Sequence, residues 1–330
     1  MPASGGRLET GRFPGGGRPV SVRRVPADGE LFLDHVAHFV PDLDAAARAL
    51  RSAGFVLTPP TRQRNRNATG LVPSGTANCC AMLREGYLEF LAATDDTPLA
   101  RQLVAALERR TGLHLVAFAT DDADTAHAAL ARGGFDPYEP VHLTRPVESA
   151  DGAVEEARFT VLRVPPEAMP EGRIQLLRHH TPELLWQQDR LDHDNGIVSL
   201  AGTLLCVDDP EEAAARFARF TSRRFERRDD RRIVALDRGA LAFVAPEALG
   251  RVAPFAATGV DERGAATPWI VATALGSDDP ALTRERLVSA GFEALGTDEG
   301  AAGPTSYRFP PSVGGFASVV PAGAAPEWLA

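Results

Sequence analysis

The chain has 330 residues, a formal net charge of -9 and 44% hydrophobic residues, a globular composition long enough for about two domains. The acidic balance argues against nucleic acid as the main partner, and no apolar run is long enough to cross a membrane. All 35 basic residues are arginine, which excludes catalysis by a lysine Schiff base or a phosphate-binding lysine.

The amino-terminal stretch and the cysteines indicate where the protein resides. Residues 1–30 contain Gly, Pro and Arg but no apolar segment, so we expect a disordered tail rather than a secretory signal. Cys79, Cys80 and Cys206 form neither a disulfide framework nor a zinc motif. Reduced thiols and a cytoplasmic location are therefore expected.

An internal repeat organises the rest of the chain. Residues 33–55 and residues 113–135 both run from an apolar strand through an Asp-containing turn and an Ala-rich helix to a closing Gly-Phe. The strands align at an offset of 79 and the helices at 80, which predicts one inserted residue in the turn. Fainter copies begin at Leu200 and Trp269.

Each copy carries the same helix signals. An aspartate precedes each helix as the predicted N-cap, Pro occupies the first helical position in the last two copies, and Gly ends the helix in three of them. These residues are Asp42, Asp121 or Asp122, Asp209 and Asp279; Pro210 and Pro280; and Gly54, Gly134 and Gly291.

Two or three strand-like runs follow each helix, so the predicted unit is βαβββ and occurs four times. One such unit exposes a sheet face and unpaired edges, whereas two units together close most of a barrel. The sequence thus predicts an α+β fold with two cup-shaped half-barrel domains, residues 31–195 and 196–330. Thr181-Pro182-Glu183 is the expected start of a connecting helix, and residues 193–196 the turn into the second half.

Several segments resemble one family. LDHVAHFVPDL, GTANCCAML followed by GYLEFL, GLHLVAFATDD and HDNG are similar to the vicinal-oxygen-chelate superfamily, in particular its two-domain, glyoxalase-like bacterial members. The resemblance covers roughly residues 31–320 and is stronger in the first half. It implies paired βαβββ units whose first and last strands supply the ligands of a divalent metal.

Carried over residue by residue, the resemblance implies the ligands His35, Glu89, His114 and Gln175. Strand alternation and the offset of 79 place His35 and His114 at equivalent positions, and Glu89 opposite Gln175. Two imidazoles and a carboxylate suit Fe, Mn, Co, Ni or Zn, and a buried lone carboxylate also favours a cation. Gln175 departs from the glutamate common in glyoxalase-type members, so the expected base at that corner is missing.

Other residues are candidates for the substrate. Thr76 and Asn78, on the strand before Glu89, would bind a substrate oxygen, with solvent-facing polar residues as the alternative. Arg62 and Arg64 would steer an anionic substrate, with a solvated charged loop as the alternative.

The second cup lacks corresponding ligands and is predicted to be degenerate. Positions equivalent to His35 and Glu89 hold apolar or small residues in both later units, and every histidine precedes residue 194. These positions are Gly202, Ala272, Phe243, and Ala317 or Ser318.

The leading hypothesis is a glyoxalase-like, metal-dependent isomerase, lyase or dioxygenase acting on a small oxygen-chelating substrate. Glu89 or a metal-bound hydroxide would then move the proton. The alternatives are a metal-free small-molecule binding protein of the same fold and a degenerate structural paralogue. No membrane partner is expected, and the sequence leaves a homodimer open.

Overall fold

The computed structural model describes residues 23–67, 70–148, 152–257, 266–295 and 305–330. Most of the predicted disordered tail, residues 1–22, lies outside the described residues. Residues 23–30 instead contact the folded chain. The side chain of Arg24 donates to the carbonyl of Arg84, and the amide of Gly29 donates to the Asp121 carboxylate at 3.2 Å.

The fold is α+β, and each half carries one eight-stranded sheet within the described residues. In the first half the elements are β1 Leu31–Phe39, α1 Leu43–Ser52, β2 Thr61–Asn67, β3 Gly70–Met82, β4 Tyr87–Ala93, α2 Pro98–Arg109, β5 Gly112–Thr120, α3 Ala123–Arg132, β6 Val141–Glu148, β7 Val154–Arg163 and β8 Arg173–His179. The strand order is β2-β3-β4-β1-β5-β8-β7-β6, so two βαβββ units join through their first strands.

The second half repeats this topology. Its elements are β9 Ile197–Cys206, α4 Pro210–Thr221, β10 Phe225–Arg228, β11 Arg231–Ala235, β12 Ala240–Val244, α5 Pro246–Val252, α6 Pro254–Ala257, β13 Trp269–Ser277, α7 Pro280–Ser289, β14 Glu293–Leu295, β15 Thr305–Arg308 and β16 Phe316–Pro321. The order β10-β11-β12-β9-β13-β16-β15-β14 confirms four units paired into two cups.

The predicted helix signals are confirmed. Asp42, Asp122, Asp209 and Asp279 each accept a backbone N–H of the following helix, so Asp122 rather than Asp121 is the N-cap of α3. The glycine that follows each of α1, α3 and α7 has a positive φ of 80–86°, the left-handed conformation that glycine adopts without strain.

Three features differ from the sequence prediction. Helix α2 joins the first two units, and α5 with α6 joins the last two, although the repeat analysis places no helix there. The expected helix at Thr181 is instead two short 3₁₀ turns, Pro182–Leu184 and Gln188–Arg190. A Thr-Pro start is compatible with both outcomes, since a single 3₁₀ turn uses the same first-turn geometry.

The repeat offset on the strands is also corrected. Strands β1 and β5 pair antiparallel about Val36 and Val116, with one bulge at Asp34 and one at His114. These two bulge residues are therefore equivalent, at an offset of 80, and His35 corresponds to Leu115. A bulge sets two residues of one strand against one of its partner, so the pairing register changes by one across it. The offset of 79 that aligns the two histidines in sequence therefore does not identify structural equivalents.

The core divides by sheet face. One large cluster joins the outer faces of both sheets to helices α1, α3 and α4. A second fills the inner face of the first sheet, including Leu103 and Ala106 of α2. A third fills the inner face of the second sheet with residues of α5 and α6 and with Trp328 and Leu329 near the C-terminus.

Candidate functional site

The inner face of the first sheet carries a polar cavity of about 80 Å³. His35 of β1, Glu89 of β4 and Gln175 of β8 line it. The parallel pairings place Glu89 beside Ala37 and Gln175 beside Ala117, which are repeat-equivalent positions. Alternation along the strands therefore brings three of the four predicted ligand residues to one cavity.

His35 is held by a buried carboxylate. Its Nδ1 lies 2.8 Å from Oδ2 of Asp34, and Nε2 of His179 lies 2.8 Å from Oδ1 of the same residue. Burial would raise the pKa of Asp34, but the charges and hydrogen bonds of His179 and His35 hold it well below its usual range. An ionised Asp34 requires Nδ1 of His35 to donate, which leaves Nε2 free to face the cavity.

Glu89 is the carboxylate among the residues that line the polar cavity. Its Oε1 accepts from Asn78 Nδ2 at 2.5 Å and from Gln63 Nε2 at 3.3 Å. Its Oε2 lies 3.6 Å from Nε2 of His35, too far for a hydrogen bond. Nε2 of His35 and Oε2 of Glu89 therefore face each other across the cavity without a direct hydrogen bond. Thr76 lies behind this group and donates to Gln63 Oε1 at 2.8 Å.

The fourth predicted ligand, His114, lies elsewhere. It lines a neighbouring apolar cavity of about 510 Å³. Its ring stacks on Phe39 with centroids 5.1 Å apart, and its Nε2 lies 2.8 Å from the carbonyl of Arg110. Burial is the main cause that lowers the pKa of His114 to about 4; the carbonyl of Arg110 opposes the shift, and the charges of Arg109 and Arg110 add to it.

Arginines dominate the electrostatics. Arg145, Arg163 and Arg173 line the polar cavity, and Arg163 and Arg173 line the apolar cavity as well. Burial and, to a smaller extent, the charge of Arg163 lower the pKa of Arg173 to about 10, while the charge of Glu89 opposes the shift. Nε of Arg163 is buried and makes no hydrogen bond within the described residues. Three guanidinium groups thus face one carboxylate.

The structure does not bring Arg62 and Arg64 into either cavity. Both side chains are exposed on β2, and Arg62 lies 3.6 Å from Asp95 in an exposed ion pair. Gln63 lies between them on the opposite strand face and enters the polar cavity. The basic segment that the sequence indicates therefore presents an amide, not a guanidinium, to the site.

The predicted ligand set does not fit one metal ion. His114 points into the apolar cavity, and no group of three or more His, Cys, Asp or Glu residues in the described part of the chain is placed to hold a metal. The nearby arginines also oppose a divalent cation, because they outnumber the carboxylate by three to one.

The profile of the glyoxalase-like domain family matches residues 33–221, more than half of the chain. The chain belongs to this family. It is a member of the vicinal-oxygen-chelate superfamily, as the resemblance implied. No curated protein matches it significantly by sequence. Within the described residues, none of the helices has the length and apolar character needed to cross a membrane.

Solved structures share the fold. A hypothetical protein from Staphylococcus aureus superposes with a TM-score of 0.61 at 11% identity, covering 88% of this chain and 99% of its own. A mutant 4-hydroxymandelate synthase from Streptomyces coelicolor gives 0.52 at 15% identity, covering 90% and 94%. The Mn(II)-bound glyoxalase from Novosphingobium aromaticivorans gives 0.51 at 12% identity, covering 90% and 82%. These likenesses establish the architecture of the glyoxalase-like chain.

Sequence reasoning missed four groups at this site: Asp34, His179, Arg163 and Arg173. Arg173 stands two residues before Gln175 on β8, so the alternation that placed Gln175 also places Arg173 on the inner face. Asp34 carried no such signal, because a bulge sets its direction.

Proposed function

We propose that the N-terminal cup binds a small organic anion and exchanges a proton with it. Arg163 and Arg173 bind the anion, and His35 is the base. The supporting observation is the pair of arginine side chains that line both cavities: Nε of Arg163 is buried without a hydrogen-bond partner among the described residues, and the guanidinium of Arg173 lies over the ring of Phe39.

The arginine pair favours an anion on energetic grounds. A desolvated cation without a partner is costly, and two adjacent cations are more so. Glu89 compensates only in part, since Asn78 and Gln63 already occupy one of its oxygens. A carboxylate or phosphate would supply the missing negative charge and accept the paired N–H groups of a guanidinium.

The proton step follows from the orientation of His35. Asp34 fixes the Nδ1–H tautomer, so the Nε2 lone pair removes a proton from a ligand carbon next to a carbonyl or carboxylate. The C–H electron pair stays on the ligand as an enolate, whose charge the arginines stabilise. If the deprotonated carbon carries a hydroxyl, the enolate is an enediolate; the former carbonyl carbon then takes the proton back from His35, the hydroxyl proton moves to the other oxygen, and an isomerisation is complete. If the β carbon carries a leaving group, the enolate electron pair forms the C=C bond and expels that group with its bonding electrons, which completes a lyase reaction.

The metal-dependent enzyme predicted from the sequence is the second candidate function. One observation favours it: Gln175 Oε1 is buried without a hydrogen-bond partner among the described residues. A carboxylate behind a histidine, as Asp34 lies behind His35, also occurs around bound metals. The ligands would then be His35, Glu89 and Gln175, and Glu89 would be the catalytic group. Fe, Mn, Co, Ni and Zn are the metals to test.

Binding and exchange experiments test the first candidate. Chelator-treated protein is titrated calorimetrically with pyruvate, and hydrogen–deuterium exchange at the pyruvate methyl group is followed by NMR. We expect millimolar or tighter binding, at least tenfold weaker binding in Arg163→Gln, and unchanged binding in the matched control Arg178→Gln, an exposed arginine on β8. His35→Gln should retain binding and lose the exchange.

Two outcomes overturn this proposal. Binding that does not depend on Arg163 removes the anion site, and exchange that persists in His35→Gln removes the base. If binding or exchange appears only after Mn²⁺ or Zn²⁺ is restored, the metal-dependent candidate replaces it.

A further inference from the structure

The apolar cavity has no role in the proton step, yet it shares Arg163 and Arg173 with the polar cavity. We infer that it binds the hydrocarbon body of the ligand, which is an amphiphilic carboxylate with its charged end at these two arginines. This inference rests on the proposed function and names the substrate class of the same site.

The size and walls of the apolar cavity fit a hydrocarbon. Its volume is about 510 Å³, within the range of small-molecule sites in proteins. Helix α2 forms one wall with Leu99 and Ala106, and another is formed by Met169, between β7 and β8, and Ile174, at the start of β8. A methionine thioether adapts to apolar groups of different shape. The cavity can therefore hold a chain or ring system on the order of ten carbon atoms.

The charges around the apolar cavity are all of one sign. Arg109, Arg163 and Arg173 line it, and no Asp or Glu is among its described lining residues. Arg173 lies over the ring of Phe39, 5.3 Å from its centroid, which fixes the guanidinium at the boundary between apolar wall and polar cavity. A cavity that combines cationic groups with apolar walls is complementary to a carboxylate on a hydrocarbon.

The mouth of the cavity remains open to a ligand that extends outward. Tyr138 lines it with 52% of its surface exposed. The backbone amide of Tyr138 donates to the carbonyl of Arg163 at 2.9 Å, so this rim is attached to the strand that carries the arginine. A tyrosine at such a rim presents an apolar ring to the ligand and a hydroxyl to water.

A chain-length series tests the inference. Acetate, hexanoate, octanoate and decanoate are titrated calorimetrically below their aggregation concentrations. Burial of each added methylene should strengthen binding about two- to fourfold until the cavity is full. Gln102→Trp places a large side chain at the cavity wall, and Val104→Trp on the same helix is the matched control, since Val104 is 47% exposed and outside that wall. We expect Gln102→Trp to weaken octanoate at least tenfold, with acetate unchanged, and Val104→Trp to bind both normally.

The outcomes separate the two proposals. If acetate binding depends on Arg163 but affinity does not rise with chain length, the apolar-cavity inference is wrong and the anion site stands. If octanoate binds equally well to wild type and Gln102→Trp, the hydrocarbon lies elsewhere and the inference is again wrong. If Arg163→Gln leaves the affinity of every acid in the series unchanged, the proposed function itself fails.

Discussion

Replacing Arg173 by methionine should stabilise the protein while weakening its binding of anions. Arg173 is largely enclosed by the cup and has no ion-pair partner within the described residues. Methionine preserves an unbranched apolar chain over Phe39 but removes the charge. The substitution therefore separates the energetic cost of the guanidinium from the packing of its stem.

The expected magnitude follows from the pKa. Burial and the charge of Arg163 lower the pKa of Arg173 from its usual value to about 10, which corresponds to about 3 kcal/mol against the charged form at about 1.36 kcal/mol per pKa unit. Solvent screens part of this cost, because some of the side chain remains exposed. Loss of the cation–π contact removes about 0.5–1 kcal/mol. A net gain of about 1–2 kcal/mol in the free energy of unfolding is expected.

Urea denaturation at neutral pH, followed by tryptophan fluorescence, measures this gain. Arg178→Met is the matched control, since Arg178 is exposed on the same strand, and its unfolding midpoint should stay near that of wild type. The midpoint of Arg173→Met should rise without a change in slope. A loss of stability in Arg173→Met would refute the reasoning, because it would mean that the guanidinium is satisfied by groups of the folded chain.

Three further perturbations have defined outcomes. Burial lowers the pKa of His38 to about 4. Between about pH 6.5 and 4 the unfolded chain therefore takes up a proton that the folded protein does not, and the free energy of unfolding decreases as the pH falls through this window. His38→Phe should remove up to about 3 kcal/mol of this pH dependence, measured as the difference between urea unfolding at pH 7 and at pH 4.5. Asp34→Asn replaces one carboxylate oxygen by an NH₂ group and so leaves His35 or His179 without a hydrogen-bond acceptor. The free energy of unfolding should fall by about 3–5 kcal/mol, measured by thermal unfolding. An unchanged melting temperature would show that the two hydrogen bonds are dispensable. Trp328→Ala should cost about 3–5 kcal/mol because Trp328 is 2% exposed in the second cup, and a cost below 1 kcal/mol would show that this cup does not need its C-terminal filling.

The helices and the strand faces could be predicted because local chemistry determines them. An aspartate followed by proline starts a helix in α4 and α7 as the backbone N–H groups require. Helix α2 carries the same signals, with Thr97 as N-cap, Pro98 at the first position and a Leu-Ala stripe, but it falls between repeats rather than inside one. The repeat pattern therefore does not predict this helix, whereas its cap and helical period do.

Strand alternation could be used to predict that His35, Glu89 and Gln175 share one face, and they line one cavity. Their role as ligands stays a prediction. His114 lies on a bulge, and a shift of one residue turns a strand side chain toward a different environment. A bulge depends on how two strands pair, so the residues of one strand do not reveal it.

The two cups differ in how their inner faces are filled. The inner face of the second sheet is covered by α5, α6 and Trp328, and the Nε1 of Trp328 donates to Ser318 at 2.9 Å. The inner face of the first sheet is covered only in part by α2, which leaves the apolar and polar cavities on either side of Arg163 and Arg173. A cup that is filled by its own chain gains apolar burial, whereas a cup that retains unpaired cations gives up stability. Binding of an anionic ligand would supply the negative charge that Arg163 and Arg173 lack, which accounts for their retention in the first cup.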